Sequence, residues 1–206
     1  MNFKTISSLG LLIATTLNVA ADPQKFDFKD PKGVNNAVFK LDAPLESING
    51  TATGISGEIT FDPANPKSTT GKIVVATSSL NVPNPMMKDH LLSETWMDAT
   101  KYPDLSFEVV SLADIKTSGA ATTASATGKL TIKGITKAVT IPVSLTFLKD
   151  KLGARIPNMS GDLLVVRANF KVKRSEFNIN AGQYEDKVSD EIDLSLSLAG
   201  MSPKTK

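Results

Sequence analysis

The 206-residue chain has no cysteine, a single histidine (His90), a single tryptophan (Trp96) and two tyrosines. Each scarcity removes a class of chemistry. Without thiols there is no disulfide framework, no thiolate nucleophile, no zinc finger, no iron–sulfur ligation and no lipid-modified cysteine. One imidazole cannot build a site of several histidines, so no zinc or copper centre is expected. Ser-His-Asp catalysis would have to run through His90, and no GxSxG elbow presents a serine to it. The chain therefore reads as a non-enzyme, with no catalytic residue, metal ligand or cofactor assigned. Asp186, Asp190, Glu191 and Asp193 crowd together without the spacing of a calcium loop and read as a solvated face. Charge of one sign is lacking as well: 23 basic against 21 acidic residues give a net charge of +2, too small a field to draw the protein to nucleic acid or an anionic membrane.

Long apolar runs are scarce too. The longest, LGLLIATTL at residues 9–17, follows Lys4 and precedes Val19-Ala20-Ala21. That is the charged start, apolar core and small-residue end of a secretory signal, with a cut expected between Ala21 and Asp22. It falls short of the ~20 residues a spanning helix needs, and every later apolar run is shorter. The expectation is an exported protein, periplasmic or secreted, with residues 1–21 as signal peptide, residues 22–206 as one domain and no membrane span in the mature chain. Residues 22–34 and 201–206 read as loose ends.

What is present is alternation. In KAVTIPVSLTF, Val139, Ile141, Val143, Leu145 and Phe147 point one way and Thr140, Pro142, Ser144 and Thr146 the other. Pro142 offers no ladder hydrogen bond and marks an edge, bulge or bend. The same period places Leu130 and Ile132 together in GKLTIKG, just before KAVTIPVSLTF, and the connection GITK is short enough to make a hairpin between them. It also aligns Val166, Ala168, Phe170 and Val172; Ile192, Leu194, Leu196 and Leu198; Leu105, Phe107 and Val109; and Ile73 and Val75. With AVFKLDA near residue 37, TGISGEITF near 53 and a strand near 123, the pattern predicts eight or nine strands separated by DPANP, KTSGA and NAGQ turns. Such strands bury one face against a second sheet or close around it. Sandwich and barrel both satisfy the pattern, and an eight-stranded barrel either fills with its own side chains or holds one small ligand.

One stretch breaks the alternation and gathers the rare residues: NPMMKDHLLSETWMD. Asn84 as N-cap and Pro85 at the first helical position predict a short helix near residues 85–97. Met87, Leu91, Leu92 and Trp96 form its apolar stripe. His90 reads as a helix histidine bonded to a neighbouring group. Met86, Met87 and Met97 suit a mouth, because unbranched thioethers adapt to chains of varied shape.

Three motifs, in order, carry a resemblance. The first is Lys88, Asp89, His90, Leu91, Trp96, Tyr102, Pro103 and Phe107; the second Gly128, Leu130, Thr131, Gly134, Thr136 and Lys137; the third Arg174 and Phe177. Over residues 34–200 the chain resembles the YceI-like proteins, the polyisoprenoid-binding, lipocalin-like family. The resemblance implies an all-β fold, an eight-stranded antiparallel barrel with the helix at one side, exported from the cell. It also implies non-enzymatic binding of a long isoprenoid or other amphiphilic lipid inside the barrel, and it allows a homodimer; a structural domain with a filled core is the alternative. The residues expected to face such a ligand are Ile73, Val75, Met86, Met87, His90, Leu91, Trp96, Leu105, Phe107, Leu130, Ile132, Ile141, Val143, Phe147, Phe170 and Phe177.

Overall fold

In the computed structural model, residues 22–204 are described, and the expected signal at residues 1–21 lies outside them. The strands are β1 (Gln24–Asp27), β2 (Asn36–Asp42), β3 (Ser47–Ala52), β4 (Ile55–Phe61), β5 (Thr70–Ala76), β6 (Leu80–Asn81), β7 (Asp104–Ser118), β8 (Ala121–Ile132), β9 (Ile135–Leu148), β10 (Gly161–Lys173) and β11 (Glu191–Pro203). All neighbours are antiparallel, in the order β1-β4-β5-β7-β8-β9-β10-β11-β2-β3-β6, and β1 also pairs with β11.

Eleven segments make eight staves because the first three staves are interrupted. β1 and β2 run in the same direction along different parts of β11: Asp27 faces Met201, while 36–40 face 193–197. β3 and β4 are likewise two halves of one stave broken at Thr53-Gly54, pairing with β2 and β1 respectively. β5 continues through a 3-10 turn (Thr77–Ser79) into β6, which pairs with β3. The result is a closed eight-stranded barrel of neighbouring staves, which leaves no free sheet edge where closure is complete.

Residues 22–34, expected to be loose, instead close one end. Phe26 and Phe28 are wholly buried with Phe61, and Phe26 meets Phe147 edge to face at 6.2 Å. Two aromatics among charged neighbours are too few for a periodic signal, and their partners lie far along the chain. Residues 201–203, also expected to be loose, are the end of β11, with Pro203 opposite Gly161. The break between β1 and β2 is pinned by a polar knot. Asn35 donates to the carbonyls of Phe28 and Ala199 and accepts from the Ala199 amide. Asp30 accepts from the amides of Lys32, Val34 and Asn35 and pairs with Arg155 of the short helix α2 (Leu152–Arg155) at 2.8 Å. Burial pushes the Asp30 carboxyl up, but the amides of Asn35, Lys32 and Val34 and the Arg155 charge outweigh it and hold the group below its ordinary range.

The other end carries α1 (Pro85–Leu92). Asn84 caps it, its side chain accepting from the Met87 amide at 3.1 Å. The helix is shorter than expected. Ser93 takes an extended conformation, and both its amide and its hydroxyl bond back to the His90 carbonyl. Trp96 and Met97 therefore sit on a turn, not on the helix. Residue 123 and residues 128–132 of GKLTIKG belong to one strand, β8, and the last two residues of that motif, Lys133-Gly134, are the whole hairpin turn to β9, both at positive φ as a tight two-residue turn requires. The Tyr102 ring lies against Gly134, where an added Cβ would come within 2.5 Å of it. Pro142 sits where the β9–β10 ladder stops, at Val143 opposite Ala168.

Candidate functional site

The barrel is hollow. A cavity of about 820 Å³ runs through it, within the range of small-molecule sites. At this circumference, small inward residues leave it unfilled. At several inward positions the side chain is a single methyl: Ala37, Ala52, Ala126 and Ala168 all line the space. Phe26, Phe28 and Phe61 fill the closed end, so the void is displaced toward the α1 end.

The walls are apolar. Ile73, Val75, Leu105, Phe107, Leu130, Ile132, Ile141, Val143 and Phe170 line them, as do Phe39, Leu41, Val166, Val172, Leu194 and Leu196. Met87, His90, Leu91 and Trp96 line the end near α1, and Phe177 reaches in from the 3-10 turn (Arg174–Phe177) after β10. Two expected positions lie elsewhere. Met86 is 72% exposed and outside the lining, because it stands on the solvent side of the first helical turn. Phe147 continues the inward alternation of β9 but packs against Phe26 in the closed end.

The polar groups gather at the open end: Glu46, His90, Thr95, Asn180, Gln183, Tyr184 and Lys187. Segment 178–190 forms much of this lip and is built around Arg174, which is 1% exposed. The guanidinium spends all five N–H donors on main-chain carbonyls: Nε on Ser189, one terminal nitrogen on Ile179 and Asn180, the other on Gln183 and Val188. No carboxylate pairs with it among the described residues; Asp190 instead holds the amide and hydroxyl of Ser175. Five carbonyl dipoles thus solvate a buried cation, and the loop is folded around it. The loop is tied to its neighbours through Asn180 Nδ2 to the Thr95 carbonyl at 3.0 Å and the Leu45 amide to the Asp186 carbonyl at 2.9 Å. The Tyr184 ring lies over Trp96 with centroids 6.2 Å apart.

Arg174 is a motif residue and 180–183 a turn in the sequence, but the part they play with 184–188 in building the lip is not legible there. A lone Arg gives no sign of five main-chain partners, and the loop has no period; Tyr184, one of only two tyrosines, was the available signal. Phe39 and Leu41 were visible in the alternation of AVFKLDA. Among the described residues no group of three histidines or carboxylates is placed to hold a metal ion, and no helix is long and apolar enough to cross a membrane. The site can therefore enclose an apolar chain: apart from Thr69 and Ser106 in its wall, its polar lining groups belong to the lip and the buried Arg174.

The comparisons agree with this geometry. The family model described as the YceI-like domain matches residues 26–199. The chain is 29% identical to "Protein YceI" of Shigella flexneri over 201 residues, covering 96% of this chain and 98% of that protein. Its fold is similar to Burkholderia cenocepacia BcnA, with a TM-score of 0.63, 24% identity, and coverage of 80% of this chain and 94% of that one. It is also similar to a polyisoprenoid binding domain from Saccharophagus degradans implicated in plant cell wall breakdown, with a TM-score of 0.57, 12% identity, and coverage of 89% and 98%.

Proposed function

The chain belongs to the YceI-like family, and on that premise we propose that its barrel binds a long-chain isoprenoid or other amphiphilic lipid, such as a polyprenyl lipid or quinone tail, and carries or sequesters it without altering it chemically. The observation that carries this reading is the apolar cavity of about 820 Å³. The polyisoprenoid binding domain that shares the fold supports the same chain chemistry. Burial alone supplies the driving force. Roughly twenty chain carbons leaving water at about 0.8 kcal/mol each contribute about 16 kcal/mol, which exceeds the ~4–15 kcal/mol cost of association. Ligand identity would then be set loosely in the walls and more finely at the lip, where His90, Asn180, Gln183, Tyr184 and Lys187 meet the polar head. The binding residues proposed are those of the expected set that line the cavity.

In this reading the mature protein is residues 22–206, a single domain acting in the periplasm or outside the cell after loss of the signal, and a homodimer is compatible with it. The test is extraction of protein purified without detergent into organic solvent, followed by lipid mass analysis. A stoichiometric prenyl or related amphiphile is expected. A protein that yields no lipid and gains no thermal stability from added polyprenols is not a carrier of them.

A further inference from the structure

The barrel wall is incomplete on one side. β9 pairs with β8 along residues 135–146, and β10 pairs with β11 along residues 161–173. Between β9 and β10 the ladder covers only 143–148 against 163–168. Among the described residues no ladder pairing joins 135–142 to 169–173. The ladder ends next to Pro142, which brings no N–H to it.

The side chains give independent evidence. Residues directly opposite on antiparallel strands share a face. Lys137 is opposite Leu130, which is buried and lines the cavity. Lys137 thus occupies an inward position, yet it is exposed and makes no ion pair among the described residues. An inward lysine three residues from the Lys133-Gly134 turn reaches water over the rim or through the wall, and the side of β9 that carries no ladder lies beside it. Phe170 and Val172 on β10, and Ile141 on β9, flank this gap and line the cavity.

We infer that the cavity has a second, lateral opening between β9 and β10, set by Pro142, through which an apolar chain enters and leaves, with the Lys137 ammonium at its margin. The inference rests on the lipid-binding reading for what passes through, but not for the opening itself. It allows a chain to slide in sideways while its head stays in water, with no need for the Arg174-centred lip to unfold.

The experiment has two arms. The first is amide hydrogen exchange of the ligand-free protein. Amides of 136–141 and 169–173 directed at the gap should exchange at least a hundredfold faster than those of 143–148 and 163–168; equal protection overturns the opening, whatever the protein binds. The second arm uses the absence of native cysteine. Lys137→Cys and, as a control, Met86→Cys are each labelled with a bulky polymer maleimide or a small methylthiolating reagent, and uptake of an anthraniloyl-labelled farnesyl chain is followed by energy transfer from Trp96. The bulky label at position 137 should slow association and dissociation at least tenfold relative to the small label, and the label at 86 should have no such effect. Unchanged rates with the bulky label at 137 overturn the lateral route. If unmodified protein takes up no probe, the lipid-binding reading fails while the exchange arm still decides whether the wall is open.

Discussion

Ala126 offers a test in which the sign of the effect separates a hollow barrel from a filled one. It is buried, stands between Leu112 of β7 and Ile141 of β9 in register, and lines the cavity. Ala126→Leu adds three carbon atoms facing the void. At about 0.8 kcal/mol per buried carbon this gains roughly 2.4 kcal/mol, reduced by about 0.5–1 kcal/mol of lost rotamer freedom. The free protein should gain about 1.5 kcal/mol, or roughly 3–6 °C in Tm for a domain of this size. The same three carbons displace bound chain, so binding of an isoprenoid probe should weaken by about 2 kcal/mol, close to thirtyfold. Urea unfolding of delipidated protein gives the first quantity, and titration followed by Trp96 fluorescence gives the second. In a close-packed interior the substitution would destabilise by about 1–3 kcal/mol. Destabilisation of that size with unchanged probe affinity would refute the argument.

Three further outcomes are expected. Arg174→Met leaves five carbonyls without their donor and should cost about 4 kcal/mol or more; urea unfolding measures it, and loss of the Tyr184–Trp96 contact should red-shift the tryptophan emission. Asp30 has a depressed folded-state pKa, so its contribution is complete above the ordinary value of 3.8 and is lost as pH falls through the lower folded value; below pH 4 the urea midpoint of the native protein should fall more steeply than that of Asp30→Asn. Gly50→Ala should destabilise by about 2 kcal/mol, because the new methyl would lie 2.0 Å from Cζ of Phe39, whose ring packs over the glycine; a midpoint equal to that of the native protein would contradict the close approach.

Where one strand carries its own alternation, the sequence was readable. Val139, Ile141 and Val143 on β9, Phe170 and Val172 on β10, and Leu105 and Phe107 on β7 face inward as their period requires, and the all-β barrel and YceI-like family are borne out. Asn84 and Pro85 likewise announced the start of α1. Its end was not announced: Ser93 stops the helix by bonding back to His90, which local propensity does not encode strongly. The interrupted staves were hidden because β1 is four residues long and its burial depends on β4 and β11, far away in sequence. Hollowness was equally hidden. Ala126 and Ala168 are compatible with a tight core or a void, and only the barrel's circumference decides which.

The central claim is that the interior is a binding space. Native mass spectrometry of the mature chain, purified without detergent and sprayed from volatile buffer, tests it most directly. A protein peak accompanied by one lipid-mass adduct per chain, released on collisional activation and diminished in Ala126→Leu, is expected. A single peak at the polypeptide mass, unchanged after incubation with a polyprenol, would contradict it.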